Sequence, residues 1–253
     1  MISSRIRAFA LPHWIFLFGV ILVAWAMLYA MAVSTELREA GRIYGADLLA
    51  QFCMVSPDAA GFARLLAMWA LMSAAMMAPT ALPAFATYDD LSQAGAETRF
   101  WALVGGYITV WLGFSALAAG TQIAFFQAGL LSPFGDSLSW VLSGTLLLGA
   151  GAYQFSALKA ACLAKCRHPL TFFMAHWDEG PWRNGLRLGA VCVGCCWALM
   201  LLAFVGGVMN LAFMGLATLL MAVEKLPSPG RWLTPVLGVG LLAAGALTLF
   251  AGI

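Results

Sequence analysis

Five of the six cysteines in this 253-residue chain fall between residues 162 and 196, in two groups at helical spacing. Cys162 and Cys166 are four apart. Cys195 and Cys196 follow Cys192 at three and four, so one helix face carries Cys192 together with Cys195 or Cys196. Spacings of three or four on a helix let two side chains share one ion. Met72 and Met76 repeat the spacing, and Met77 adds a neighbour. Thiolate and thioether ligands select soft metals such as Cu(I), while a set of thiolates alone suits Zn equally well. The thioethers and the carboxylate-free surroundings favour Cu(I). Thiols must lose protons to bind metal, and Lys159, Lys165 and Arg167 lie close enough in sequence to offset that negative charge.

The remaining polar residues have plainer readings. Cys53 stands alone, an unpaired thiol or half of an intermolecular bridge. His13, His168 and His176 read as interfacial residues, with His168 the best placed of the three as a ligand because it follows Cys166 by two. Asp89, Asp90, Asp178 and Glu179 read as solvated loop charges, and Glu224-Lys225 as a charge pair at a helix end. Asn210 follows Gly206-Gly207 closely enough to satisfy backbone groups at a turn.

The elements that must position this sulfur are apolar helices. Apolar residues make up 63% of the chain and charged residues 9%, against roughly 25% charged in a soluble domain, and the mean hydropathy is +0.91. Thirteen basic against eleven acidic residues leave a charge of +2 with no dense basic cluster, which excludes nucleic acid as a partner. Charge-poor stretches long enough to cross a bilayer predict seven spans, at Trp14–Val33, Phe62–Phe85, Phe100–Phe126, Leu138–Leu158, Leu188–Val205, Val208–Val223 and Leu233–Ala251. The predicted fold is all-α, a polytopic transmembrane helix bundle of about seven spans in one membrane domain, 1–253. Leu188–Val223 contains no charge and is too long for one span, so it must fold back, and Gly206-Gly207 is the natural break.

Cytoplasmic ends carry the excess of Lys and Arg. With the N-terminus cytoplasmic, Arg5, Arg7, Arg99, Lys159, Lys165, Arg167, Arg183, Arg187, Lys225 and Arg231 fall inside, and Arg38, Arg42 and Arg64 outside. Merging the fifth and sixth spans weakens that bias. The first span follows two arginines, as in a secretory signal, but its apolar region is longer than a signal's and favours a retained anchor. This orientation places Cys162, Cys166, Cys192, Met76 and Met77 together in the cytoplasmic half. Apart from Arg64 the spans contain no Asp, Glu, Lys, Arg or His, which disfavours a proton pump or voltage sensor.

Several strings in order carry a resemblance: Trp69-x2-Met72-x3-Met76-Met77-x-Pro79; Gly151-x-Tyr153-Gln154-x4-Lys159-x2-Cys162-x3-Cys166-Arg167-x-Pro169; Gly194-Cys195-Cys196-Trp197; Met209-Asn210; and Glu224-Lys225. Together they resemble an uncharacterised bacterial family of predicted metal-binding integral membrane proteins, over roughly residues 60–230. The resemblance implies a metal as ligand and a bacterial inner-membrane location, and it implies no assured activity.

The leading expectation is therefore a membrane protein, not an enzyme, that binds a soft metal through Cys162, Cys166, Cys192, Cys195 and Cys196, with Met72, Met76 and Met77 as auxiliary ligands. Its partners would be the lipid bilayer and a membrane protein or a second copy. A thiol oxidoreductase using Cys192/Cys195 and Cys162/Cys166 is the alternative, disfavoured by the rarity of cytoplasmic disulfides. A non-catalytic subunit whose sulfur merely packs is the third reading. Gly144, Gly149 and Gly151 would then serve close helix contact within the chain or across an interface.

Overall fold

A computed structural model describes residues 12–32, 54–93 and 98–252. Cys53 and the arginines at 5, 7, 38 and 42 lie outside the described residues. Every regular element described is helical. In chain order these are α1 (Pro12–Ala32), α2 (Ala59–Gln93), α3 (Phe100–Gln127), α4 (Trp140–Gln154), α5 (Ala157–Arg167), α6 (Pro169–Ala175), α7 (Pro181–Leu201), α8 (Ala203–Gly206), α9 (Leu211–Glu224) and α10 (Pro229–Ala251), with a 3-10 turn at Trp177–Glu179.

Among the described residues five stretches are long and apolar enough to cross a membrane: Pro12–Ala32, Ala59–Leu91, Phe100–Gln127, Pro181–Gly206 and Pro229–Ala251. The expected count of seven is not reached. The fourth expected span is broken: α4 and α5 meet at an angle of 61°. The break sits at Phe155-Ser156, where the Ser156 hydroxyl accepts from the Lys159 amide at 3.1 Å and starts a new helix. Counting the bent pair as one span gives six. The sixth expected span, α9, has 14 residues, about 21 Å at 1.5 Å per residue against roughly 30 Å of hydrocarbon. It is short because Asn210 caps it, accepting from the Phe213 amide at 3.1 Å and donating to the Gly206 carbonyl at 2.9 Å. The fold-back itself lies where expected, with Gly207 at φ +92° in the left-handed region.

Close helix contacts set the frame around the sulfur. α3 and α7 touch backbone to backbone: a Cβ on Gly185 would lie 2.1 Å from the Leu103 carbonyl oxygen, and one on Gly106 2.3 Å from that of Trp182. α4 and α10 mesh likewise through Gly144, Gly151, Gly238 and Gly245, so Gly144 and Gly151 serve contact within the chain. Gly149 faces open space. Gly185→Ala is therefore expected to destabilise by about 1–3 kcal/mol through overpacking, whereas Gly149→Ala stays within about 0.5 kcal/mol. Chemical unfolding of the two variants in the same detergent checks the contrast.

The helices that flank this pair are fixed by side chains meeting backbone. α1 turns Trp14, Leu17, Ile21, Ala24, Leu28 and Met31 inward at helical spacing and leaves Ile15, Phe16, Leu22 and Val23 exposed. Pro79 lies inside α2 and has no N–H for the carbonyl four residues earlier, Ala75. The Trp25 indole of α1 donates to that carbonyl at 2.9 Å. At the start of α2, Asp58 caps the helix: the Gly61 amide donates to its carboxylate at 2.7 Å and the Ser56 hydroxyl at 2.9 Å. These bonds hold the Asp58 carboxyl below the ordinary carboxylate range. Asp89 is not a solvated loop charge. It sits near the end of α2, half-buried, and takes the Trp14 indole N–H at 3.0 Å with His13 at 3.4 Å.

Candidate metal centre

α7 carries the centre because its cysteine face turns inward, against α3 and α5. Cys192, Cys195 and Cys196 are all buried, and their sulfurs lie within 4.8 Å of one another. Two metal–sulfur bonds of about 2.3 Å, the zinc–thiolate length, span at most about 4.6 Å, and the Cys195–Cys196 and Cys195–Cys166 separations both fall inside that reach. Cys195 is its hub. Its sulfur is 3.2 Å from that of Cys196 and 4.0 Å from that of Cys166 on α5, and its thiol donates to the Cys192 carbonyl at 3.1 Å. The two sequence groups thus meet through Cys166. Cys162, half-buried on the same helix, packs against α7 where Gly194 has no side chain: a Cβ there would be 2.6 Å from the Cys162 sulfur. The Tyr153 hydroxyl donates to the Gly194 carbonyl and secures that contact.

One ammonium stands among the thiols. Lys225, just past α9, is buried, and its Nζ lies 3.0 Å from the Cys192 sulfur and 2.6 Å from the Thr80 hydroxyl. Thr80 passes its own proton to the Met77 carbonyl at 2.9 Å, which also accepts from the Tyr107 hydroxyl at 3.1 Å. That hydroxyl is 3.3 Å from the Cys192 sulfur. The ring closes through α2, α3, α7 and the residue that follows α9. The Lys225 ammonium is the positive charge available to offset a sulfur that gives up its proton to a metal.

The reading of Glu224-Lys225 as one charge pair at a helix end is replaced by two separate contacts. Glu224 turns the other way, to Lys159 of α5, with Nζ to Oε2 at 2.9 Å and both side chains at 1% exposure or less. Arg167 is likewise committed, its Nε and Nη2 donating to the Glu224 carbonyl at 3.0 and 2.8 Å. Lys165 is exposed. The cation that faces the thiols is therefore Lys225, which the sequence offered only as half of an acidic-basic step closing an apolar helix. Nothing in the sequence singled out Tyr107 or Thr80.

Met72, Met76 and Met77 are buried on α2, and Met77 meets the site through its backbone carbonyl. His168 is exposed at the junction of α5 and α6, and His176 bonds the Phe172 carbonyl through Nδ1 at 2.8 Å. Neither belongs to the cysteine group. Asp178 is exposed as expected. Glu179 pairs with Arg187 at 2.5 Å, and that bond holds its carboxyl below the ordinary range.

A helical bundle that buries clustered thiols with a cation beside them fits a protein that handles a thiophilic metal. The chain belongs to the PpoB2 family, described as a copper chaperone, whose family model matches residues 66–248. Comparison with curated proteins and with solved structures finds no match. The matched stretch contains all five clustered cysteines, Lys159, Glu224 and Lys225, and it reaches through most of α10.

Proposed function

We propose that this chain is an integral membrane protein that binds Cu(I) and delivers it to a partner. Cys166, Cys192, Cys195 and Cys196 supply the ligands. Cys162 and the thioethers of Met72, Met76 and Met77 serve as auxiliary positions along the metal's path. The observation that carries this reading is the buried group of three sulfurs within 4.8 Å, with the Lys225 ammonium 3.0 Å from one of them, in a chain of a copper-chaperone family.

The exterior supports the membrane. Trp232, Val236, Val239, Leu247 and Phe250 on α10 are largely exposed, as are Leu22, Val23 and Tyr29 on α1. Faces of this kind are stable against lipid and unfavourable against water. The site lies where α5 ends and α9 gives way to α10, beside Arg167 and Lys225, and the bias of basic residues toward the cytoplasmic face supports reading this end as cytoplasmic.

Elemental analysis of protein purified in mild detergent tests the reading. The expected result is copper bound in the reduced state and retained against excess Zn(II). Metal at background level, or displacement by zinc, overturns it.

A further inference from the structure

The thiols open on one side into a cavity of about 360 Å3. Its polar lining consists of Thr80, Tyr107, Cys166, Arg167, Cys192 and Lys225, and the rest is Pro, Leu, Ala and Val. Two cations therefore stand at the approach to a site for a cation, and among the described residues no carboxylate lines it. Glu224 is not among the lining residues, and its Oε2 is held by Lys159. Arg167 spends Nε and Nη2 on the Glu224 carbonyl, while its Nη1 makes no hydrogen bond among the described residues. A bare Cu(I) ion meets repulsion along this approach, and an anionic complex meets attraction.

We propose that the cavity admits Cu(I) as the complex of a small anionic thiol, with Arg167 as the residue that selects for the complex's charge. This rests on the reading of the site as a Cu(I) centre and names the form in which the metal arrives. The volume suits one small ligand, at the lower end of the range for small-molecule pockets. The transfer is a ligand exchange without oxidation: a bis-thiolate Cu(I) complex and two protein thiols give two released small thiols and Cu(I) on two protein thiolates. Two Cu–S bonds form and two break. The two protons leave the cysteines and end on the departing sulfurs, and the charge of −1 on the CuS2 unit is kept. Cys166 and Cys192 both line the cavity, so attack by either brings the ion within reach of Cys195.

Stopped-flow transfer from Cu(I) complexes of 3-mercaptopropionate, 2-mercaptoethanol and cysteamine to the purified protein tests this, because the three donors differ mainly in the charge of their tails. In the unaltered chain, transfer is expected to be fastest from mercaptopropionate and slowest from cysteamine. Their rate ratio should fall about tenfold in Arg167→Gln and return in Arg167→Lys, which cancels the intrinsic strengths of the donors. A unit charge several ångströms from the complex is worth about that factor at intermediate dielectric. The ratio should also shrink as salt rises, a readout that needs no variant. An unchanged ratio in Arg167→Gln or at high salt, or faster transfer from cysteamine, overturns the proposal. Failure of all three donors to load the unaltered chain overturns the Cu(I) reading itself.

Discussion

Cys195→Ser is expected to lower Cu(I) affinity by more than about 100-fold, beyond the 10–100-fold that loss of an outer-shell partner costs at a metal site. Cys195 is the hub of the sulfur group, with neighbours at 3.2 Å and 4.0 Å. Serine keeps the size and the hydrogen bond to the Cys192 carbonyl, so the helix is retained while the soft donor is lost. Met76→Leu, also buried, provides the contrast: a conservative swap in volume, with an expected change of less than about threefold if the thioether is only auxiliary. Competition against a Cu(I)-specific chromophoric chelator measures both variants on one scale. Equal affinities for Cys195→Ser and the unaltered chain would remove Cys195 from the ligand set.

The second large effect concerns stability. Lys159 and Glu224 are enclosed, at 0% and 1% side-chain exposure, and bonded at 2.9 Å. Glu224→Ala leaves an ammonium without its counter-charge in an apolar surrounding. The expected loss is about 3–5 kcal/mol, or roughly 10 °C in unfolding midpoint for a chain of this size. The doubly apolar variant Lys159→Met with Glu224→Leu is expected to recover most of that loss, because a pair of charges removed together leaves nothing unpaired. The resulting double-mutant cycle distinguishes a pairing energy from a general packing defect. If the double variant is as unstable as Glu224→Ala, the pair is not what holds α5 to α9.

Much of this architecture is written in the sequence, and the parts that are not have physical reasons. The long helices follow from charge-poor stretches, and α3 matches its expected span, Phe100–Phe126, to within one residue at its end. The turn at Gly206-Gly207 is legible because paired glycines have few other uses. The break after Gln154 is hidden because Phe155 and Ser156 look like continued apolar helix, and only the Ser156 cap reveals a new start. The same break moves Cys162 and Cys166 off the end of an expected span and onto a helix of their own.

At the site, helical spacing exposes the cysteines, since three and four are the intervals that share a face. Their meeting across helices depends on α7 lying close against α3 and α5, which the small residues Gly185, Gly189 and Gly194 permit and which spacing alone does not express. Lys225 and Glu224 are adjacent in sequence and diverge in space. Adjacent residues at a helix end project in different directions, so a pairing read from neighbourhood fails there.

The proline in the middle of α2 has a final consequence. A continuous ladder would have consumed the Ala75 carbonyl internally, and the missing amide of Pro79 leaves that oxygen for the Trp25 indole. What looks like a flaw in the longest helix is a latch that registers α1 against it, the second such tie beside the one from Trp14 and His13 to Asp89. Restoring an amide there would make it compete with the indole for that oxygen and leave the Asp89 contacts to hold α1 alone, although no atom of α1 had been altered.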